Sequence, residues 1–153
     1  MNPDEGEAAF RQFMAVAEPR LFRALVAAYG PERGSEATAE ALAYGWEHWT
    51  NVRGMANPIG YLYRVGQSRT KPRLVRRLFQ RPDVDEHLVE PQLGAALWGL
   101  PEAQRVAVVL VFAADMTTQE TADMLGVSYS TVKTNTKRGV AKLRKSLGVT
   151  VGD

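Results

Sequence analysis

The apolar residues in the first part of the chain recur every three or four positions, which is the spacing of one face of an α-helix. Gly30-Pro31 interrupts this pattern, and a second apolar stripe then includes Trp46 and Trp49, which we expect to be large core residues. The pattern predicts helices on both sides of Gly30-Pro31. The first stripe consists of Phe10, Phe13, Met14, Ala17, Leu21, Phe22, Leu25, Val26 and Tyr29.

A further helix is predicted to begin at Asn57-Pro58. Asparagine is favoured as an N-cap and proline is favoured in the first helical turn. Pro72 should stop or kink this helix, because proline disfavours helical geometry in the residue before it. The helical segments before residue 80 can therefore bury a small core together.

A second packed unit is predicted after residue 91, where Leu93, Ala96, Leu97 and Leu100 begin another apolar stripe. The continuous apolar run from Val106 to Phe112 fits a buried helix or a buried strand, but Pro101-Glu102 just before it favours a helix. The expected fold is all-α. We assign two small helical domains, residues 1–79 and 92–153, joined by a linker over residues 80–91.

The chain has a net charge of only +2, but its basic residues are clustered. Residues 71–81 hold five basic residues and no acid, and residues 129–145 hold six basic residues and no acid. Residues 82–91, between them, contain four acids and two prolines. Two basic surfaces separated by an acidic linker suggest two modules that each bind a polyanion, although a single basic run is also compatible with a merely solvated helix face.

The composition argues against several other classes of protein. With no cysteine, disulfides and thiolate metal sites are excluded, and the N-terminus is acidic and polar, unlike a secretory signal. No apolar run approaches the ~18 residues of a membrane span. His48 and His87 lack a catalytic or metal-ligating arrangement of neighbours. We therefore expect a cytoplasmic protein that is no enzyme, binds no metal or cofactor and does not insert into membranes.

The most specific pattern in the chain is a helix-turn-helix over residues 118–133. Ala122, Gly126 and Val132 stand at the offsets where this motif needs a small residue, a residue free to adopt positive φ and an apolar residue facing back. Thr117 and Glu120 have the spacing of a capping box, and Ser128 can cap the second helix. Gly139 within that helix is expected to cost about 1 kcal/mol relative to alanine.

The second helix has the composition of a DNA-recognition helix. Its apolar residues fall on one stripe, while hydroxyl-bearing and basic residues lie on the other faces. The N-terminal part of such a helix enters the major groove, and its lysines and arginines hold phosphates. A helical hairpin without a DNA partner is the weaker interpretation. The DNA contacts predicted here are Ser128, Tyr129, Ser130, Thr131, Lys133, Thr134, Lys137 and Arg138.

Two parts of the sequence together resemble the sigma-70 family, most closely its small extracytoplasmic-function class. Residues 100–105, the apolar run, the helix-turn-helix and residues 131–144 resemble region 4 of that family. Leu21 to Leu25, Glu40 to Trp46 and Asn57 to Val65 resemble region 2 in the same order. The resemblance extends over about residues 10 to 148 and is looser in the N-terminal part.

This resemblance implies a function in transcription initiation. Region 2 would bind core RNA polymerase through the helix around Glu36 to Trp49 and would read and help melt the −10 promoter element through residues 58–70 and the basic stretch after them. Region 4 would bind the −35 element, with Arg105 on the DNA backbone and an apolar outer surface on the polymerase flap. An anti-sigma factor is a further candidate partner. The expected polymerase contacts are Glu36, Glu40 and Glu47, and the additional expected DNA contacts are Lys71, Arg73, Arg76 and Arg77.

Two alternatives stay open at the level of sequence. The first is a sigma-like regulator that binds DNA and polymerase, or another protein, without melting the promoter. The departures from the family pattern in the N-terminal part favour it, such as Gln67-Ser68 where an Arg-Asn pair is usual. The second is an operator-binding repressor, which would usually dimerise on palindromic sites, but no dimerisation heptad is evident.

Overall fold

The computed structural model describes residues 2–70 and 91–148, and the regular structure in those two ranges is entirely helical. The helices of the first range are α1 (Pro3–Tyr29), α2 (Pro31–Glu47), α3 (Trp49–Val52) and α4 (Pro58–Thr70). Those of the second are α5 (Pro91–Trp98), α6 (Glu102–Val108), a π-helical segment (Val109–Ala113), α7 (Thr118–Leu125) and α8 (Tyr129–Ser146). We call residues 2–70 the N-terminal region and residues 91–148 the C-terminal region. The predicted all-α class is confirmed.

The N-terminal region is built around α1, which packs against both α2 and α4. Leu21 and Leu25 of α1, Val52 and Leu62 are fully buried at the centre of this packing. Close approach of α1 and α2 requires Gly34, because a Cβ there would lie 2.5 Å from the backbone of Val26. The predicted core thus forms around these residues, but Phe22 of the same stripe is 38% exposed and lies outside it.

The two tryptophans of the second stripe differ in burial. Trp49 is buried and its ring contacts those of Phe10 and Phe13, as predicted. Trp46 is 48% exposed, so its assignment to the core was wrong. Its ring rests on Phe10 at a centroid distance of 5.3 Å, at the edge of the cluster rather than inside it.

In the C-terminal region, the apolar run after Pro101 is helical, as predicted, and it changes from α to π geometry at Val109. The π segment is closed by the Ala114 amide, which donates to the carbonyl of Val109 at 3.0 Å. Five consecutive residues of α6, from Gln104 to Val108, are buried. Helix α6 is therefore enclosed by its neighbours, which explains why its residues show no amphipathic spacing.

Gly139 allows α6 and α8 to approach closely. It is buried, and a Cβ at this position would lie 2.7 Å from Cγ2 of Val108. Helix propensity alone predicts that this glycine costs about 1 kcal/mol relative to alanine. That value leaves out the packing of the two helices, because alanine at this position would collide with α6. The glycine is a packing residue.

One hydrophobic cluster extends through both regions. Val106, Leu110, Met116 and Met124 of the C-terminal region are each no more than 3% exposed and belong to the same cluster as Leu25 and the rest of the N-terminal core. Helix α6 and the π-helical segment lie against α1, and α7 lies against α4. The two regions are packed together. Of the predicted domain bounds, residue 79 lies outside the described residues and residue 92 lies at the edge of the second described range, so the division into domains stays a prediction.

Candidate nucleic-acid interface

The helix-turn-helix forms from the local signals in its sequence. The Thr117 hydroxyl accepts a hydrogen bond from the Glu120 amide at 3.0 Å, and the Glu120 carboxylate accepts one from the Thr117 amide at 3.0 Å, so the capping box at the start of α7 is complete. Gly126 ends this helix at φ +70°, in the left-handed region that favours glycine. Ser128 then caps α8 by accepting a hydrogen bond from the Thr131 amide at 3.1 Å. All three predicted features of the motif are confirmed.

Helix α8 presents its polar residues to solvent. Its apolar contacts with the rest of the protein are made through Val132 and Leu143, which are buried, together with Gly139. The eight predicted DNA contacts of this motif are all exposed, and they are Ser128, Tyr129, Ser130, Thr131, Lys133, Thr134, Lys137 and Arg138. The exposed face carries no acid, so its field favours an anion as partner. Contact of these side chains with DNA stays a prediction.

The N-terminal end of α8 combines exposed hydroxyl groups with helix geometry. The hydroxyls of Ser128, Ser130 and Thr131 are linked, at 3.1 Å between Ser128 and Ser130 and 2.8 Å between Ser128 and Thr131. Tyr129, beside them, is 49% exposed. This arrangement places several hydrogen-bonding groups at the helix end that enters the major groove in helix-turn-helix proteins.

Arg105 lies in an environment that the sequence did not indicate. It is 6% exposed, and its guanidinium donates hydrogen bonds to the carbonyl oxygens of Ala27, of Ala28 at 3.1 Å and of Leu100 at 3.0 Å. It also lies over the ring of Trp98, 4.1 Å from the centroid. In this arrangement Arg105 faces protein rather than solvent, so the expected contact with a DNA phosphate would require it to leave these partners.

The other predicted site residues divide into two groups. Glu36, Glu40 and Glu47 are exposed on α2, as a contact surface for polymerase requires, and that contact stays a prediction. The additional DNA contacts predicted for the basic stretch after α4 lie outside the described residues. They are Lys71, Arg73, Arg76 and Arg77.

A polar cluster joins the two regions beside α7. Arg20 of α1 forms an ion pair with Glu120 at 2.8 Å. The Asn57 side chain donates to the backbone carbonyl of Asp123 and also caps α4 by accepting from the Gly60 amide at 3.0 Å. Sequence patterns gave no sign of these contacts, because the partners are more than 60 residues apart.

Glu120 is the acid of this cluster. Its hydrogen bond from the Thr117 backbone, followed by its bond from Arg20, lowers the pKa of the carboxyl below its usual value. Both bonds favour the charged form, which is the form that the capping box and the ion pair use. Glu120 therefore couples the start of the helix-turn-helix to the N-terminal region.

A pair of tyrosines lies between α2 and α4. The hydroxyls of Tyr44 and Tyr61 are 3.1 Å apart, and this hydrogen bond raises the pKa of Tyr44. Tyr44 also stacks on the ring of His48. Tyr63 is buried in the core, so of the two tyrosines of α4 only Tyr61 is accessible to an unpaired base.

The described ranges give no support to a metal centre or a membrane span. Within residues 2–70 and 91–148, no three potential ligands among histidine and acidic side chains converge to hold a metal ion. Among the helices in these ranges, none has both the length and the apolar character that crossing a membrane demands.

Comparison with known proteins places the helix-turn-helix in a family. Residues 91–143 match the family model for sigma-70, region 4. The structure of the chain is also similar to that of the sigma factor RpoE from Bartonella quintana, solved in complex with the anti-sigma factor NepR. That similarity has a TM-score of 0.71 at 17% sequence identity and covers 92% of this chain and 98% of the other. A search of curated proteins found none that matches.

The fold and the exposed basic helix define an all-helical protein with a DNA-binding motif in its C-terminal region. Its residues 91–143 are similar to sigma-70, region 4, and the chain shares its fold with a solved sigma factor. The resemblance to region 2 plus region 4 that the sequence indicates is confirmed by the family match in the C-terminal region and by the similar fold over 92% of the chain.

Proposed function

We propose that this chain is a sigma factor that binds core RNA polymerase and directs it to promoters. The observation that carries the proposal is the exposed, acid-free face of α8 within a region 4 domain. Helix α8 would lie in the major groove of the −35 element, with Tyr129, Ser130 and Thr134 near base edges and Lys133, Lys137 and Arg138 near phosphates. The chain would contribute binding energy that selects DNA, while the polymerase forms the bonds.

The N-terminal region would provide the contacts with polymerase and the −10 element. Glu36, Glu40 and Glu47 lie on the exposed side of α2 and offer carboxylates to a basic partner surface. Tyr61 on α4 is available for stacking on an unpaired base. In the C-terminal region, Phe112 is 62% exposed and would contribute to an apolar contact with the polymerase flap.

The proposed partners are promoter DNA, core polymerase and an anti-sigma factor, and the expected location is the cytoplasm. The solved protein with a similar fold binds the anti-sigma factor NepR. A protein of that kind would suit this chain because basic and apolar surfaces remain exposed on it.

Transcription with purified core polymerase on a library of genomic fragments, read by sequencing the transcript starts, tests the proposal. A sigma factor should give starts that share upstream elements when no other sigma factor is present. The triple variant Lys133→Ala/Lys137→Ala/Arg138→Ala should lose them. Its matched control changes the net charge equally at the other end of α8 and is Lys142→Ala/Arg144→Ala/Lys145→Ala.

The alternative function, a sigma-like regulator without promoter melting, gives a different result in the same assay. That protein would bind duplex DNA and core polymerase but would yield no starts as the sole sigma factor. A repressor would yield neither starts nor binding to the polymerase.

A further inference from the structure

Two apolar side chains are exposed at the end of the helix-turn-helix that would face DNA. Val127, in the turn between α7 and α8, is 43% exposed, and Tyr129, the first residue of α8, is similarly exposed. The Val127 amide donates to the carbonyl of Ala122 at 3.1 Å, which fixes the backbone of the turn. Within the described ranges neither side chain belongs to a hydrophobic cluster, so both are available to contact a partner.

The hydroxyl groups beside these two side chains are bonded to one another. The Oγ of Ser128 accepts a hydrogen bond from the Thr131 amide and lies within 3.1 Å of the hydroxyls of Ser130 and Thr131. Part of the hydrogen-bonding capacity of these groups is therefore used within the protein. A small hydroxyl can also donate to or accept from any base edge, so it distinguishes the bases weakly.

The first turn of α8 has no side chain that identifies guanine or adenine by a pair of hydrogen bonds. Arginine and lysine do so for guanine, and asparagine and glutamine do so for adenine. In this chain the first such residue after the turn is Lys133, one helical turn into α8. Before it the sequence is Val127-Ser128-Tyr129-Ser130-Thr131-Val132.

The base edges in the major groove carry one apolar group, the C5 methyl group of thymine. Contact with Val127 or with the Tyr129 ring would remove this methyl group from water. Burial of one such group stabilises binding by ~0.8 kcal/mol, which corresponds to about fourfold in affinity. The basic residues farther along α8 attract DNA of any sequence. The apolar contacts would therefore supply discrimination between sequences.

We propose that Val127 and Tyr129 are specificity-determining residues that recognise thymine methyl groups in the duplex bound by α8. The proposal rests on the proposed sigma function, which places that duplex at the −35 element, but it concerns binding alone. It specifies one feature of the preferred DNA, since a thymine of either strand lies against each of these two side chains.

Replacement of thymine by uracil tests the proposal, because it removes the methyl group and keeps the base pair. Duplexes are selected from a random library by binding to the full chain with core polymerase, and each thymine is then replaced in turn. Uracil at one or two positions of the −35 element should weaken binding about fourfold each. Uracil in the spacer between the two promoter elements is the control and should have no effect. If no position of the −35 element responds, recognition of methyl groups is excluded.

A shortened side chain at position 127 assigns one of these effects to Val127. In Val127→Ala the effect of uracil at one position should fall from about fourfold to less than about twofold, because the methyl group has lost its partner. Val16→Ala makes the same change at an exposed position of α1 and should leave the effect intact. An effect of unchanged size in Val127→Ala would overturn the role of Val127.

Two substitutions of Tyr129 separate apolar contact from hydrogen bonding. Tyr129→Phe removes the hydroxyl and keeps the ring, so it should retain affinity within about twofold together with the uracil effect. Tyr129→Ala should abolish the uracil effect at one position. If Tyr129→Phe weakened binding as much as Tyr129→Ala, the hydroxyl would be the recognising group and the role of the ring would be disproved.

The methyl contacts and the sigma function can fail separately. Transcript starts from promoters whose binding is insensitive to uracil would leave the sigma function in place and remove the methyl contacts. Binding that is sensitive to uracil, without transcript starts, would remove the sigma function and leave the methyl contacts in place.

Discussion

Arg105 of α6 donates a hydrogen bond to the carbonyl oxygen of Ala28, 3.1 Å away in the last turn of α1. This contact joins residues 77 positions apart and pairs a charged group with an otherwise unpaired helix end. It stabilises the packing of the two regions. While it is formed, the Arg105 guanidinium is not available to bind an anion such as a DNA phosphate.

Replacing Arg105 by alanine should destabilise the protein strongly. The change would leave the buried carbonyls of Ala27, Ala28 and Leu100 without their donor, and we expect the free energy of unfolding in urea to fall by about 3 kcal/mol. Arg105→Lys should recover only part of this loss, because an ammonium cannot reproduce the planar set of donors. The exposed Arg138→Ala serves as control and should change stability by no more than about 0.5 kcal/mol. A similarly small effect of Arg105→Ala would contradict the structural role.

Gly139→Ala should destabilise the chain, although alanine is the better helix former. The added methyl group meets Val108 across the contact between α6 and α8, and overpacking of this kind typically costs about 1–3 kcal/mol. Ala141 lies exposed on the same helix, and Ala141→Gly should cost about 1 kcal/mol from propensity alone. Thermal and urea unfolding of both variants measure the effects. If alanine at position 139 stabilised the protein, the close approach would be disproved.

Lys137→Ala should weaken binding of the chain with core polymerase to all promoter sequences alike. Loss of one phosphate contact should flatten the slope of log K against log salt by about one unit. Lys142 is also exposed on α8, about 140° around the helix from Lys137 by helical geometry, and Lys142→Ala should leave the slope unchanged. Binding titrations at several salt concentrations give both slopes. An unaltered slope for Lys137→Ala would remove that residue from the phosphate contacts.

Glu120 should make stability depend on pH in the acid range. Since its hydrogen bonds lower the pKa of this carboxyl in the folded protein, its stabilising effect is complete above the unfolded value of about 4.3 and is lost as the pH falls through the folded value. Glu120→Gln keeps a capping acceptor but does not titrate. Unfolding measured from pH 6 to pH 3 should therefore show the difference in stability between the two proteins shrinking. A difference that stays constant with pH would contradict the pairing.

The sequence was sufficient for the parts of the fold that local chemistry determines. The capping box at Thr117, the left-handed Gly126 and the cap at Ser128 each depend on residues within a few positions, and all three were predicted. The helix Pro58–Thr70 follows from Asn57-Pro58 for the same reason. The exposed face of α8 also follows, because the period of an α-helix divides its polar and apolar residues.

Packing between distant helices was beyond sequence reasoning. Trp46 has the spacing of a core residue, but it is 48% exposed and only its contact with the Phe10 ring ties it to the core. Arg105 stands where the resemblance to the sigma-70 family predicts a DNA contact, and it is nevertheless buried, because its partners on α1 come from the other region. Single-sequence patterns carry no information about which helix end lies beside which arginine.

Site-specific photo-cross-linking from α8 tests the central claim most directly. A photoreactive amino acid at the exposed position of Thr134, in the full chain bound to core polymerase and promoter DNA, should cross-link to duplex DNA near position −35 relative to the transcript start. The same amino acid at Val16, which is 53% exposed on α1, serves as control and should give no cross-link at that position. Absence of DNA cross-links from position 134, or cross-links far from −35, would contradict the assignment of α8 as the helix that reads the promoter.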